Sequence, residues 1–149
     1  MSKLLSQKCH YAVKAIFDLA HDHAGDVTKL ATIAERQGIP ARFLEGILRE
    51  LRQGGFVESR RGAEGGYLLA RRPSAIRVGD IIRFIEGDLR PVTGATEGPL
   101  GRVSAGSVFD DLWRDAQAAL WSVFDGVHFQ QLVDDESARR RDWSSDYVI

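Results

Sequence analysis

Residues 30–69 read LATIAERQGIPARFLEGILRELRQGGFVESRRGAEGGYLL, and the order of parts in this stretch decides the fold. Phe43, Leu44, Ile47, Leu48 and Leu51 recur at helical spacing and can all face a core, which leaves Arg42, Glu45, Gly46, Arg49 and Gln53 on the outer side. Pro40 suits the first turn of this helix, where its missing N–H is no loss, and Gly38 suits the turn that closes the helix before it. After Gly54 and Gly55, residues 56–60 read as a strand. A glycine-bearing tip, Gly62 to Gly66, returns the chain into Tyr67, Leu68 and Leu69. Helix, tight turn, helix and short hairpin, in that order, make a winged helix-turn-helix. The expected class is mainly α with a small β-hairpin wing, and its second helix has an outer face suited to a major groove.

Charge supports the same stretch. The chain of 149 residues carries 20 Lys/Arg and 21 Asp/Glu, a net charge of −1, which by itself argues against a polyanion partner. By segment, however, residues 36–72 hold eight basic and four acidic side chains, whereas residues 110–149 hold four and nine. Attraction to nucleic acid depends on this local field, not on the net value. Five glycines among residues 54–66 suggest that the hairpin backbone must come close to something, and a phosphate backbone beside Arg60 and Arg61 is one candidate. A flexible hairpin loop is the plainer alternative. The glycines lack G-x-G-x-x-G spacing and do not open a helix, so a dinucleotide site is set aside.

With 44% hydrophobic residues the length suits one domain of ordinary size, or a small one with a helical extension. No apolar run suggests a signal peptide or a membrane span, so a cytoplasmic location is expected. The single cysteine, Cys9, excludes an intrachain disulfide, and no His/Cys cluster at zinc spacing accompanies it.

In chain order, Ser6 can cap a helix to about residue 23 that buries Tyr11, Ala12, Ile16, Leu19 and Ala20. Thr28 can cap a second, residues 29–37, with Leu30, Ile33 and Ala34 inward. Residues 78–86 form a short helix with Ile81, Ile82 and Ile85 inward, which completes a DNA-binding domain over residues 1–87. Residues 88–106, rich in glycine with two prolines, read as a flexible loop. Ser107 with Asp110 then opens a long helix, and residues 107–133 form a dimerisation region. Its apolar positions Phe109, Leu112, Trp113, Ala116, Leu120, Val123 and Phe124 exceed what a small domain needs. Burial against a second copy and packing on the first helix are both open. A short helical segment ends near Leu132, and residues 134–149 read as a charged, partly disordered tail.

These pieces together resemble the Rrf2 family of bacterial winged-helix regulators. The matching parts are Tyr11-Ala12-Val13, the run from Ile33 to Ile39, Phe43-Leu44-Glu45, Leu51-Arg52, Gly65-Gly66-Tyr67-Leu68-Leu69, Val78-Gly79-Asp80 and Leu112-Trp113-Arg114-Asp115. The resemblance implies control of transcription by a homodimer, joined through the long C-terminal helix, that reads double-stranded DNA. It implies that the helix from Pro40 and the glycine-tipped wing read the DNA, and the residues expected on that surface are Lys8, Arg42, Glu45, Gly46, Arg49, Arg60, Arg61, Gly65 and Gly66. Cluster-binding members carry three cysteines before the long helix. The corresponding places here lie near Ala95, Gly101 and Ser107, so no iron-sulfur cluster of the usual kind, and no other cofactor, is expected. Repression of transcription is the expected outcome.

Two alternatives accompany this reading. One keeps the fold but makes it an interaction module controlled by a metabolic enzyme or another protein partner. The other is a sensor with an atypical metal site using His10, although His10 and Cys9 point about 100° apart on a helix. No carboxylate pair, nucleophile-base set or phosphate loop supports an enzyme.

Overall fold

A computed structural model describes residues 4–22, 25–88 and 108–146. Helix α1 (Gln7–His21) starts where the Ser6 side chain accepts from the Cys9 backbone N–H, 3.1 Å away. Helix α2 (Leu30–Gln37) ends at Gly38, whose φ of 63° is the left-handed conformation that glycine adopts without strain. Helix α3 (Ala41–Gln53) follows Pro40 and buries Leu44, Ile47, Leu48 and Leu51. Strands β1 (Val57–Arg60) and β2 (Gly66–Leu69) pair antiparallel, from Val57 opposite Leu69 to Arg60 opposite Gly66. A 3-10 turn (Pro73–Ala75) leads into α4 (Val78–Glu86), and α5 (Val108–Gly126) and α6 (Phe129–Asp146) complete the described chain. A mainly helical fold with one hairpin is therefore what the sequence makes.

The core lies between α1, α3, α4 and the start of α6. Ile16, Ile33, Leu44, Leu48, Leu51, Ile76, Ile81 and Phe129 are fully buried there. The helix-turn-helix is braced from behind by polar contacts. The buried Asp18 carboxylate of α1 accepts from Gln37 Nε2 at 2.9 Å, and Arg36 of α2 bridges Asp18 and Asp22. Burial without partners would be costly for Asp18; here its two oxygens are answered.

Several expectations need correction. Thr28 does not cap α2. Lys29 stands at that position without a side-chain cap, while Thr28 exchanges two backbone hydrogen bonds of 2.8 Å with Tyr67 and so adds one bridge to the wing. Phe43, expected to face the core, is 56% exposed, because Leu44, Ile47, Leu48 and Leu51 already complete the inner stripe. The second C-terminal helix does not stop near Leu132. It continues to Asp146, through residues read as a charged tail, supported by an i to i+4 ion pair between Glu136 and Arg140. It is mainly α6 that lies along α1; α5 rests chiefly on α4 and reaches α1 through Trp121 and Phe124 beside Cys9. The loop reading of residues 89–106 and the proposed Ser107 cap fall outside the described residues.

Candidate nucleic-acid interface

The predicted basic residues of α3 and of the wing are exposed, and α3 packs against the first strand of the wing. Arg42, Glu45 and Arg49 are exposed, with Arg49 and Glu45 paired at 3.6 Å across one helical turn. The Arg42 guanidinium lies 5.6 Å from the centre of the exposed Phe43 ring. That stack restrains an otherwise free side chain and puts a cation beside an apolar surface at the first turn of the helix. A Cβ built on Gly46 meets nothing within 4 Å, so no internal packing requires a glycine there. The position is instead open to close approach from outside.

In the wing, Arg60 and Arg61 are exposed. The close approach that the hairpin glycines permit is made to the chain itself. A Cβ on Gly66 would lie 2.5 Å from the Thr28 carbonyl oxygen, and one on Gly65 would collide with the Arg60 carbonyl oxygen. These two glycines shape the wing and anchor it to residue 28, which corrects the idea that they need an external backbone to explain them. Lys8 is not free either; its ammonium sits 2.7 Å from a Glu50 carboxylate oxygen on α3.

Three contributors were not legible as part of the site. Phe43 has been described. Arg52 donates to Ser59 Oγ at 2.9 Å and ties α3 to β1. Arg71 stacks over Phe56 at 4.9 Å, and Phe56 meets Phe84 edge-on at 5.3 Å, so the base of the wing is fixed to α3 and α4. A sequence signal existed only for Phe43, whose place in the stripe is dispensable.

The C-terminal region adds a second surface. On α5, Phe109, Leu112 and Val123 are 60%, 53% and 63% exposed, Ala116 is exposed, and Trp113 and Leu120 are half-buried. Phe124 is different: with Trp121 it packs against the chain's own Cys9 and Ile82. At the end of α5, Arg83 grips the Asp125 carboxylate with two hydrogen bonds of 2.5 and 2.8 Å and holds it below the ordinary carboxylate range.

As for metal chemistry, Cys9 is buried, and burial together with the neighbouring Glu86 carboxylate pushes its thiol up to about 12. His10 stands on the exposed side of α1. No group of three His, Cys, Asp or Glu residues suited to a metal occurs among the described residues. The sequence of residues 88–107 supplies no cysteine. This donor set does not fit a cysteine-ligated cluster, which needs several thiolates.

A family of iron-dependent transcriptional regulators, Rrf2, matches residues 5–135. The chain belongs to the Rrf2 family. It is 35% identical over 130 residues to the transcriptional regulator CymR of Bacillus subtilis, covering 87% of this chain and 88% of CymR. Over 138 residues it is 36% identical to IscR of Aliivibrio salmonicida, covering 91% and 80%. Its fold matches the structure of CymR, the global cysteine regulator of B. subtilis, with a TM-score of 0.77 at 32% identity over 90% of this chain and 98% of that one. It likewise matches T. potens IscR, with a TM-score of 0.75 at 38% identity over 91% and 90%. This Rrf2 chain is thus a regulator of the helix-turn-helix type and not an enzyme. No helix among its described residues is long and apolar enough to cross a membrane.

Proposed function

We propose that the chain is a cytoplasmic, homodimeric, sequence-specific DNA-binding repressor that works without a cysteine-ligated iron-sulfur cluster. The observation that carries this reading is that Arg42, Glu45 and Arg49 of α3 and Arg60 and Arg61 of the wing are all exposed, on two elements that pack together within the basic segment of an otherwise acidic chain. Arg42 and Arg49 have the donor geometry to grip guanine edges, Glu45 can accept from cytosine, and the Phe43 ring suits a thymine methyl group. Arg60, Arg61 and Lys8 serve as phosphate contacts, Lys8 after exchanging Glu50 for phosphate. Gly65 and Gly66 contribute through the shape they give the wing, since the Gly65 N–H is already bonded to the Gly62 carbonyl and Gly66 is paired with Arg60. For dimerisation, the exposed apolar side chains of α5 supply a self-complementary strip, with Phe109, Leu112, Ala116 and Val123 at its centre and Trp113 and Leu120 at its margin.

Selection of duplexes from a random pool by the purified protein, followed by footprinting, tests the reading. The expected product is a pair of inverted half-sites about one DNA turn apart. Selection of no consensus, or of a lone half-site, would sink it. A reporter placed behind the selected operator should be silenced by the protein; stimulation would make it an activator. Protein purified without air should lack the visible absorption of an iron-sulfur cluster, and a brown, iron-loaded dimer would overturn the cluster-free reading.

A further inference from the structure

Helix α5 is tied to the DNA-reading head at its C-terminal end by a set of specific contacts. Its last turn carries Trp121 and Asp125, four residues apart and therefore on one face, and both close on Arg83 of α4. The guanidinium lies 3.9 Å over the Trp121 ring while its fork holds both Asp125 oxygens. Arg77, just before α4, donates to the Asp125 backbone carbonyl at 2.6 Å. Backbone bonds from Val78 N to Val127 O, 2.9 Å, and from Phe129 N to Ile76 O, 3.0 Å, complete the seam. Gly79 belongs to the same joint, because any Cβ there would strike the Asp125 carboxylate. Beyond this joint, no residue of α5 is buried in its own chain.

We infer that the Arg83–Asp125 pair, stacked on Trp121, is the joint that sets the angle between the head and the dimer helix, and so the spacing between half-sites that the dimer accepts. The inference rests on the dimeric reading above. With 19 residues, α5 is about 28 Å long, and a tilt of about 10° at the joint moves its far end by about 5 Å. That is more than the rise of one base pair, so a loose joint must blur the preferred spacing. A bidentate arginine fork held against an aromatic face restricts such tilting in a way that a single point charge does not. Arg83, Asp125 and Trp121 are therefore positioning residues, remote from the bases themselves.

The test uses full-length wild type, Arg83→Met and Asp125→Asn. Probes are the duplex selected by the wild type, the same duplex with one base pair inserted or removed between half-sites, and a duplex holding a single half-site. Both variants should sediment as dimers and bind the single half-site within about twofold of wild type. Both should lose about tenfold in affinity for the two-half-site duplex and respond less to the inserted or removed base pair, and the double variant should be no worse than either single one. An unchanged spacing preference overturns the inference. So does an equal loss on the single half-site, which would mean general damage to the head. A wild-type chain that sediments as a monomer overturns the dimeric reading itself, a result obtained before any variant is compared.

Discussion

Arg61 and Arg42 carry the same charge but are expected to fail differently when removed. Arg61 lies exposed in the wing, where a phosphate contact releases counterions whatever the base sequence. Arg61→Ala should therefore weaken binding to all duplexes and lower the slope of log affinity against log salt by about 1. Arg42, held at the first turn of α3 by its contact with the Phe43 ring, should instead cost about 1–3 kcal/mol at one base position when replaced by Ala. Titration against single-base operator variants separates the two, and a uniform loss for Arg42→Ala would move it to the phosphate set. Cys9 makes a third case. Its thiol is pushed from 9.0 up to about 12 in the folded chain, so the folded state keeps a proton that the unfolded state loses. The stabilisation from this group is fully present below pH 9 and disappears as pH rises from 9 toward 12. At pH 8 iodoacetamide should label Cys9 only at the rate of unfolding, and rapid labelling of the native protein would contradict its burial.

Among the elements, the wing and α3 use glycine for opposite reasons. Gly66→Ala places a methyl 2.5 Å from the Thr28 carbonyl oxygen. Backbone cannot step aside as a side chain can, so a loss of about 1–3 kcal/mol is expected from chemical denaturation. Gly46→Ala has open space and sits inside a helix, so it should raise stability by about 0.5–1 kcal/mol while weakening operator binding. A gain in stability with unchanged binding would remove Gly46 from the base-reading face. Much of this element pattern was legible beforehand, because the two faces of α3 separate by period and the hairpin is bounded by glycines. Phe43 was misassigned because spacing alone cannot say where a core ends along a helix. Thr28 was misassigned because a capping residue and a bridging residue look alike until the partner, Tyr67, is known.

At the scale of the whole molecule, the apolar strip on α5 is the feature that a lone chain leaves unexplained. Leu112 is 53% exposed on a helix with no buried residue. Leu112→Asp should leave the helical far-ultraviolet signal intact while shifting sedimentation from dimer to monomer. Operator affinity should fall about tenfold or more, because the second half-site no longer binds as part of the same molecule. A variant that remains dimeric would show that the strip serves another partner.

The sequence by itself determined the winged helix-turn-helix, the basic segment that coincides with it, the likeness to the Rrf2 family and the want of cysteines for a cluster. All of these depend on local period, local charge or residue identity. Only the tertiary structure decided that α6 returns to α1 and fills the core with Phe129, that Glu50 holds Lys8, and that Arg83 meets Asp125 from 42 residues away. Such pairings follow from the path of the chain between elements, which no local pattern encodes. A charged run such as residues 134–146 reads as a tail until the apolar turn before it, with Phe129 and Val133, enters the core beside α1.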